Sequence, residues 1–504
     1  MTGRAEKDIV DTLVSARNVS TPVVGLMTPD QHALVDRICS AIPSESPKVQ
    51  WDACRGLVAL NDAGAAAVAG LDMPPDELAS QSRQPDVALQ LADKFPRRSL
   101  LLMWNAHRHI ADPIVAQAVA NLRNRYKADG RMLVLMGPDM PLPSELRHDV
   151  VVLDEQLPDD AALAGILKAL YKDGGVDLPK SGLEPAVAAV RGLSAFEAET
   201  IAAMSMRKSG LRLDELWDRK RVAINTRGIE LVYGRDSLDD LRGLPSISGF
   251  ARQLAAGPVP PEAVFHLDEI EKMLGGTGHG RDTSGVSDDQ HGVILREMED
   301  NGWSGVILYG PPGTGKSHFA RGLAGTMRVP LLSGDLGATK GEYVGQSERG
   351  IRDMMKVVKA VGRNRVLVVG TANRLDSLSP ELRRRFWMGI WFFDLPSAEE
   401  RAAIWALHRE RRGIEDAELP DDAGWTGAEI RNCCELAYRL NCGLVEASRR
   451  IVPVSKADPD SIKKARQLAE GRFLSAQHEG AYRADRPEAA LRGGRDLSQM
   501  QGAK

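Results

Sequence analysis

Cysteine is scarce in this chain. The five residues, Cys39, Cys54, Cys433, Cys434 and Cys442, are odd in number and match neither a zinc site nor a disulfide framework. Reduced thiols are the expectation. Long apolar runs are missing as well. Stretches such as Leu100 to Trp104 are far too short to span a bilayer. The opening Met1-Thr-Gly-Arg-Ala-Glu-Lys-Asp8 lacks the apolar core of a secretion signal. Nor is there an excess of one charge: 65 basic and 69 acidic residues give a formal net charge of −4. That balance argues against a nucleic-acid or anionic-membrane partner without excluding a local basic patch. Together these absences make a cytoplasmic protein with no membrane partner the expectation. What remains is ordinary globular material over 504 residues, 43% hydrophobic and 27% charged, enough for several domains.

Residues 1–178 read as alternating strands and helices. Val23-Val24-Gly25-Leu26, Ser99 to Trp104 and Arg131 to Met136 are strand candidates, with a helix from Ile114 to Tyr126. The first run ends in Met27-Thr28-Pro29-Asp30, without a glycine loop or a Lys-Ser/Thr pair. The expectation is an α/β nucleotide-fold-like domain stripped of phosphate chemistry. Residues 179–235 read as a helical connecting domain, 236–395 as the part that carries chemistry, 396–482 as a helical lid with C-terminal helices, and 483–504 as a disordered tail. An echo links the halves. Pro143-Ser-Glu-Leu-Arg147 with Val150 to Asp154 resembles Pro380-Glu-Leu-Arg383 with Trp391 to Asp394. A duplicated unit explains it, and so does chance over so few residues.

The strongest signal is Gly310-Pro311-Pro312-Gly313-Thr314-Gly315-Lys316-Ser317. It follows the buried-strand pattern Gly305 to Tyr309 and precedes the helical Phe319 to Ala324. This is a phosphate-binding loop in its required strand–loop–helix setting. Glycines let successive N–H groups curl toward phosphate oxygens, and the helix adds its positive end. Lys316 is expected on the β- and γ-phosphates of ATP, and Ser317 on Mg²⁺. An acid-tipped strand must complete such a site. The strand Val366 to Ala372 lacks one and ends in Asn373, suited to sensing the γ-phosphate. Ala263 to Leu267, ending in Asp268-Glu269, has the required form but precedes the loop. Val264, Leu267, Ile270 and Leu274 also have helical spacing, so an amphipathic helix is the competing reading. On the strand reading, Asp268 organises the metal, Glu269 activates water, and strand adjacency brings Lys316 and Asp268 together.

Arg384 and Arg385 are candidates to reach a neighbouring subunit's nucleotide, against the plainer reading of a solvated arginine face. Tyr343-Val344, between Gly341 and Gly345, suits gripping a polypeptide or packing its own loop. Pro396 to Arg401 and Gly424 to Ile430 mark helix starts in the lid, the second capped by Thr426 or a neighbour.

Together these motifs resemble the AAA ATPase family over about residues 236–450. Ser237-Leu-Asp-Asp-Leu-Arg-Gly-Leu244 is similar to the segment bordering adenine in that family, which implicates Asp240 and Leu241 in nucleotide binding. Trp104-Asn105-Ala106-His107, Asp112-Pro113 and Leu142 to Arg147 extend the resemblance to the AAA proteins first described as a chloroplast reading frame, and their bacterial relatives. The resemblance implies a P-loop core with a parallel sheet and a helical lid, behind a degenerate α/β domain. It also implies ATP and Mg²⁺ as ligands, a homo-oligomeric ring, usually hexameric, and a protein substrate to be remodelled. A slow nucleotide-gated scaffold and, less readily, a nucleic-acid motor are the alternatives. Two departures stand out: the Asp-Glu strand comes before the loop, and the arginine segment lacks the Pro-Gly insertion before Arg385-Phe386 that many members carry, which leaves the choice between Arg384 and Arg385 open. Glu429 also occupies a position where some relatives carry arginine.

Overall fold

A computed structural model describes residues 8–225, 229–234, 236–271, 286–334, 346–375, 384–415 and 418–484, with 286–292 and 346–349 described by backbone alone. The chain divides into two compact units, Met1–Leu211 and Arg212–Lys504.

The first unit is built on six strands: β1 (Val23–Met27), β2 (Lys48–Asp52), β3 (Gly56–Ala59), β4 (Leu100–Met103), β5 (Met132–Gly137) and β6 (Val151–Asp154), in the order β3-β2-β4-β5-β1-β6. All pairs are parallel except β2 with β3. β4 and β5 are buried along their whole length, as apolar runs covered on both faces must be. The helices Glu184–Val190 and Ala195–Met204 pack on Asp160–Asp173, and a short hairpin, β7 (Met206–Arg207) with β8 (Gly210–Leu211), closes the unit. Residues 179–211 therefore belong to the first unit, not to a separate helical connector.

The second unit begins with the helix Leu213–Asn225 and carries β9 (Ile229–Val232), β10 (Ala263–Leu267), β11 (Ser304–Tyr309), β12 (Leu331–Gly334), β13 (Val366–Ala372), β14 (Ile390–Phe392) and β15 (Leu474–Ser475). Their order is β15-β14-β11-β13-β10-β12-β9, with β9 antiparallel to β12. Two stretches expected to be helical thus supply edge strands, β9 and β15. Both are too short to show a period-2 pattern. The lid helices Ala398–Arg412 and Gly427–Leu440 open with capping boxes, Ser397 with Glu400 and Thr426 with Glu429. Such caps contribute about 1 kcal/mol each. The lid has its own core around Trp405, Trp425, Cys433 and Cys434. These two cysteines are buried, and burial pushes their thiols up to about 12 and about 11, away from reactivity.

The six strands of the first sheet each match a strand of the second, and only β15 has no counterpart. β6-β1-β5-β4-β2-β3 in the first unit corresponds to β14-β11-β13-β10-β12-β9 in the second, down to the antiparallel edge. The registers agree too. Gly25 pairs with Leu135 and Leu135 with Met103, as Ile307 pairs with Gly370 and Gly370 with Leu267. Chain order differs: β3 and β4 follow β1, whereas their counterparts β9 and β10 both precede β11. The sheet forms either way, because hydrogen bonding is satisfied by neighbours in space, not in sequence.

Candidate active site

The turn after β11 requires glycine. Gly310 has φ +154°, and a Cβ there would lie 2.2 Å from the Phe393 carbonyl oxygen. Gly315, at φ +97°, begins the helix Lys316–Met327 and offers no side chain to its first N–H groups. They are left for a ligand. The matching helix of the first unit, Gln31–Ala41, is closed instead: the Asp30 carboxylate accepts the Ala33 N–H at 3.1 Å. The Lys316 side chain is buried and donates to the carbonyls of Gly310 (2.7 Å) and Pro311 (2.8 Å). Burial pushes its amine down to about 8, against the pull of Glu271 and Asp268. The Thr314 hydroxyl braces the loop by donating to the Pro311 carbonyl at 2.9 Å.

Ala263–Leu267 is a fully buried strand, not an amphipathic helix. It is not a neighbour of β11, however. β13 lies between them, so the expectation of strand adjacency is corrected. The carboxylate reaches the loop from two strands away because the turn after β10 projects over the end of β13. There the Ser317 hydroxyl and Asp268 Oδ1 are 3.4 Å apart. The Thr371 hydroxyl, buried on β13, donates to the same Asp268 oxygen and accepts the Glu269 N–H at 3.3 Å. Asn373 N–H donates to Glu271 Oε1 at 2.9 Å. Neither Thr371 nor Glu271 stands out in the sequence, although a lone hydroxyl in the apolar run of β13 was a usable signal.

Glu269 has φ +51°, a left-handed backbone that costs a residue with a Cβ about 1–2 kcal/mol. By register its counterpart in the first unit is Asn105, also at φ +51°, with Trp104 standing where Asp268 stands. The fold demands that turn in both units. Asparagine tolerates it best among residues other than glycine. The first unit has taken the tolerant residue and sealed it to Gln31, whose side chain donates to Asn105 Oδ1 at 2.9 Å and accepts Asn105 N–H at 3.0 Å. The second unit keeps a glutamate despite the strain.

A cleft of about 370 Å³ joins these groups. Asp268, Glu269, Lys316, Ser317 and Asn373 line one end; Asp240, Leu241, His318, Ile404, Leu407 and His408 line the other. Burial and the charges of Arg411 and Arg431 hold His408 down to about 4, and burial lowers His318 as well. Both imidazoles are held toward the neutral form, and Leu241, Ile404 and Leu407 give this end apolar surface suited to a flat ring. Arg411 of the lid forms an ion pair with Asp240 across it. Ser317 and Asp268 supply hydroxyl and carboxylate oxygens, the hard donors that Mg²⁺ prefers, so the residues present fit that ion.

The two arginine candidates part company. Arg385 is bound within its own unit, donating to the Leu295 carbonyl at 3.2 Å and pairing with Glu299, while Arg384 is exposed. Tyr343 and Val344 lie outside the described residues, as do 376–383 and the tail from 485. Glu429 serves the lid, accepting N–H groups from Thr426 (2.7 Å) and Val454 (2.6 Å).

Residues 306–363 match the family "ATPase family associated with various cellular activities (AAA)", and residues 6–155 match "SpoVK-like AAA ATPase, N-terminal domain". The chain carries an AAA ATPase domain. Among the proteins similar to this chain is the "Uncharacterized AAA domain-containing protein ycf46" of Guillardia theta, 22% identical over 458 residues, covering 78% of this chain and 84% of that one. The "ATP-dependent zinc metalloprotease FtsH" of Malacoplasma penetrans is 30% identical over 236 residues, covering 34% of this chain and 28% of that one. The solved FIGL-1 AAA domain overlays with a TM-score of 0.32 at 16% identity, over 49% of this chain and 94% of that one. Overlap that weak adds nothing to the fold argument. AAA domains bind nucleotide and hydrolyse ATP. No described helix is long and apolar enough to cross a membrane.

Proposed function

We propose that the AAA domain hydrolyses Mg²⁺-ATP in this cleft and couples the reaction to remodelling a protein or protein complex, as part of a homo-oligomeric ring, usually hexameric in this family. One observation supports the site assignment most: an uncapped helix start, a buried lysine and a hydroxyl–carboxylate pair surround one cleft. Asp240 and Leu241 border the base, and Gly310 to Gly315 wrap the phosphates with backbone N–H groups. Lys316 leaves its carbonyl partners to neutralise the β- and γ-phosphates. Ser317 and Asp268 would hold Mg²⁺, which would supply charge neutralisation at the phosphates. Glu269 takes a proton from the attacking water, and Thr371 fixes its main chain and the Asp268 carboxylate. Asn373 contacts the γ-phosphate or that water. Arg384, exposed, is better placed than Arg385 to reach a neighbouring copy's site.

The remodelling half is supported by the alignment with an ATP-dependent protease, whose substrate is a polypeptide; zinc chemistry is not proposed. Tyr343 and Val344 are the candidate grip on that polypeptide. The test is Lys316→Ala in the full chain, followed by nucleotide titration and phosphate release. The expected result is loss of both; unchanged affinity would refute the assignment.

A further inference from the structure

We propose that Glu271 is a positioning residue that locks the sensor Asn373 to the acidic turn. The inference rests on the site assignment above and adds the element that makes its parts one rigid block.

One peptide unit, Ala372–Asn373 at the end of β13, joins the parts. Its carbonyl accepts the Gly310 N–H at 3.3 Å, which ties it to the phosphate loop. Its N–H donates to Glu271 Oε1 at 2.9 Å, which ties it to the turn bearing Asp268 and Glu269. Ile270, between these acids, packs on Gly370, where a Cβ would lie 3.1 Å from its side chain. Both ends of one planar group are held, so the Asn373 main chain is tied to the loop on one side and to the acids on the other.

The first unit is an internal control. There the same carbonyl link exists: Thr28 N–H donates to the Gly137 carbonyl at 2.9 Å. The N–H link cannot exist, because the residue matching Asn373 is Pro138, which has no N–H. The residue matching Glu271 is His107. The carbonyl half of the bridge therefore belongs to the fold. The carboxylate half is present where the loop, the acids and the sensor are present, and absent where they are not. Glu271 Oε2 is buried without a hydrogen bond among the described residues, although the carboxylate also attracts the Lys316 ammonium. An unpaired buried oxygen costs stability.

The test is a double-mutant cycle read as ATP turnover and nucleotide affinity in the full chain. Glu271→Ala should lower kcat about 10- to 100-fold, as a misplaced catalytic group does, with affinity within about twofold. Glu271→Gln keeps the acceptor oxygen and should stay within about threefold of wild type. Glu271→Ala combined with Asn373→Ala should be no slower than Asn373→Ala alone. If Glu271→Ala does not fold, Glu271→Met, similar in size and without an oxygen, takes its place. Losses that multiply in the double variant, a Glu271→Gln as slow as Glu271→Ala, or turnover untouched by either overturn the proposal. Turnover that depends on Lys316 and Asn373 but not on Glu271 overturns it alone; turnover indifferent to Lys316 overturns the site assignment as well.

Discussion

Raising the pH from 7 to 9 should weaken ATP binding about tenfold through Lys316 alone. In the nucleotide-free loop its amine is pushed down to about 8 by burial. The ammonium is the form that meets the triphosphate. Its population falls from about nine-tenths at pH 7 to about one-tenth at pH 9, a tenfold loss equivalent to about 1.4 kcal/mol. Stability runs the other way. The unfolded lysine keeps its proton to the ordinary value of 10.5, so between about 8 and that value the folded chain binds fewer protons, and its stability rises with pH. Affinity falling while stability rises separates this titration from general alkaline unfolding. Nucleotide titrations and melting curves at pH 7, 8 and 9 read both. Lys316→Arg, whose guanidinium stays charged, should show no such slope. Constant wild-type affinity across the range, or the same decline in Lys316→Arg, would refute the reasoning.

Thr371→Val removes the hydroxyl that donates to Asp268 and accepts the Glu269 N–H. It should lower kcat about tenfold or more, as loss of a positioning contact does, with little change in affinity; full activity would show that the hydroxyl does not set the acids. Arg384→Ala should cut turnover by about 10³ or more if it completes a neighbour's site, and adding an Asp268→Ala protein with an intact Arg384 should restore part of it. Arg385→Ala should instead lower the melting temperature, because it frees Glu299 and the Leu295 carbonyl. The reverse pattern in turnover and melting would reassign the two arginines.

How much was legible in advance followed from how local each signal is. The phosphate loop was plain because strand, glycines and helix are contiguous, and the helix starts at Ser397 and Thr426 are signalled within a few residues. The strand leading to Asp268 and Glu269 was legible from the shape of its run, but its place in the sheet was not, since strand order depends on pairing between segments distant in sequence. The bonds among Thr371, Asp268, Glu271 and Asn373 cross about a hundred residues and leave no periodic trace. Edge strands β9 and β15 are set by the partner strand rather than by their own pattern. The correspondence between the two sheets shows in the sequence only as a faint echo, because hydrophobic strands of one fold need share no particular residues.

The relocated acid turn is the centre of the account, and Glu269→Gln tests it most directly. ATP affinity and single-turnover hydrolysis should be measured on the same preparation of the variant. Binding close to wild type with hydrolysis slowed by about 10² or more, as removal of a general base requires, is the predicted result. Hydrolysis at the wild-type rate would contradict it.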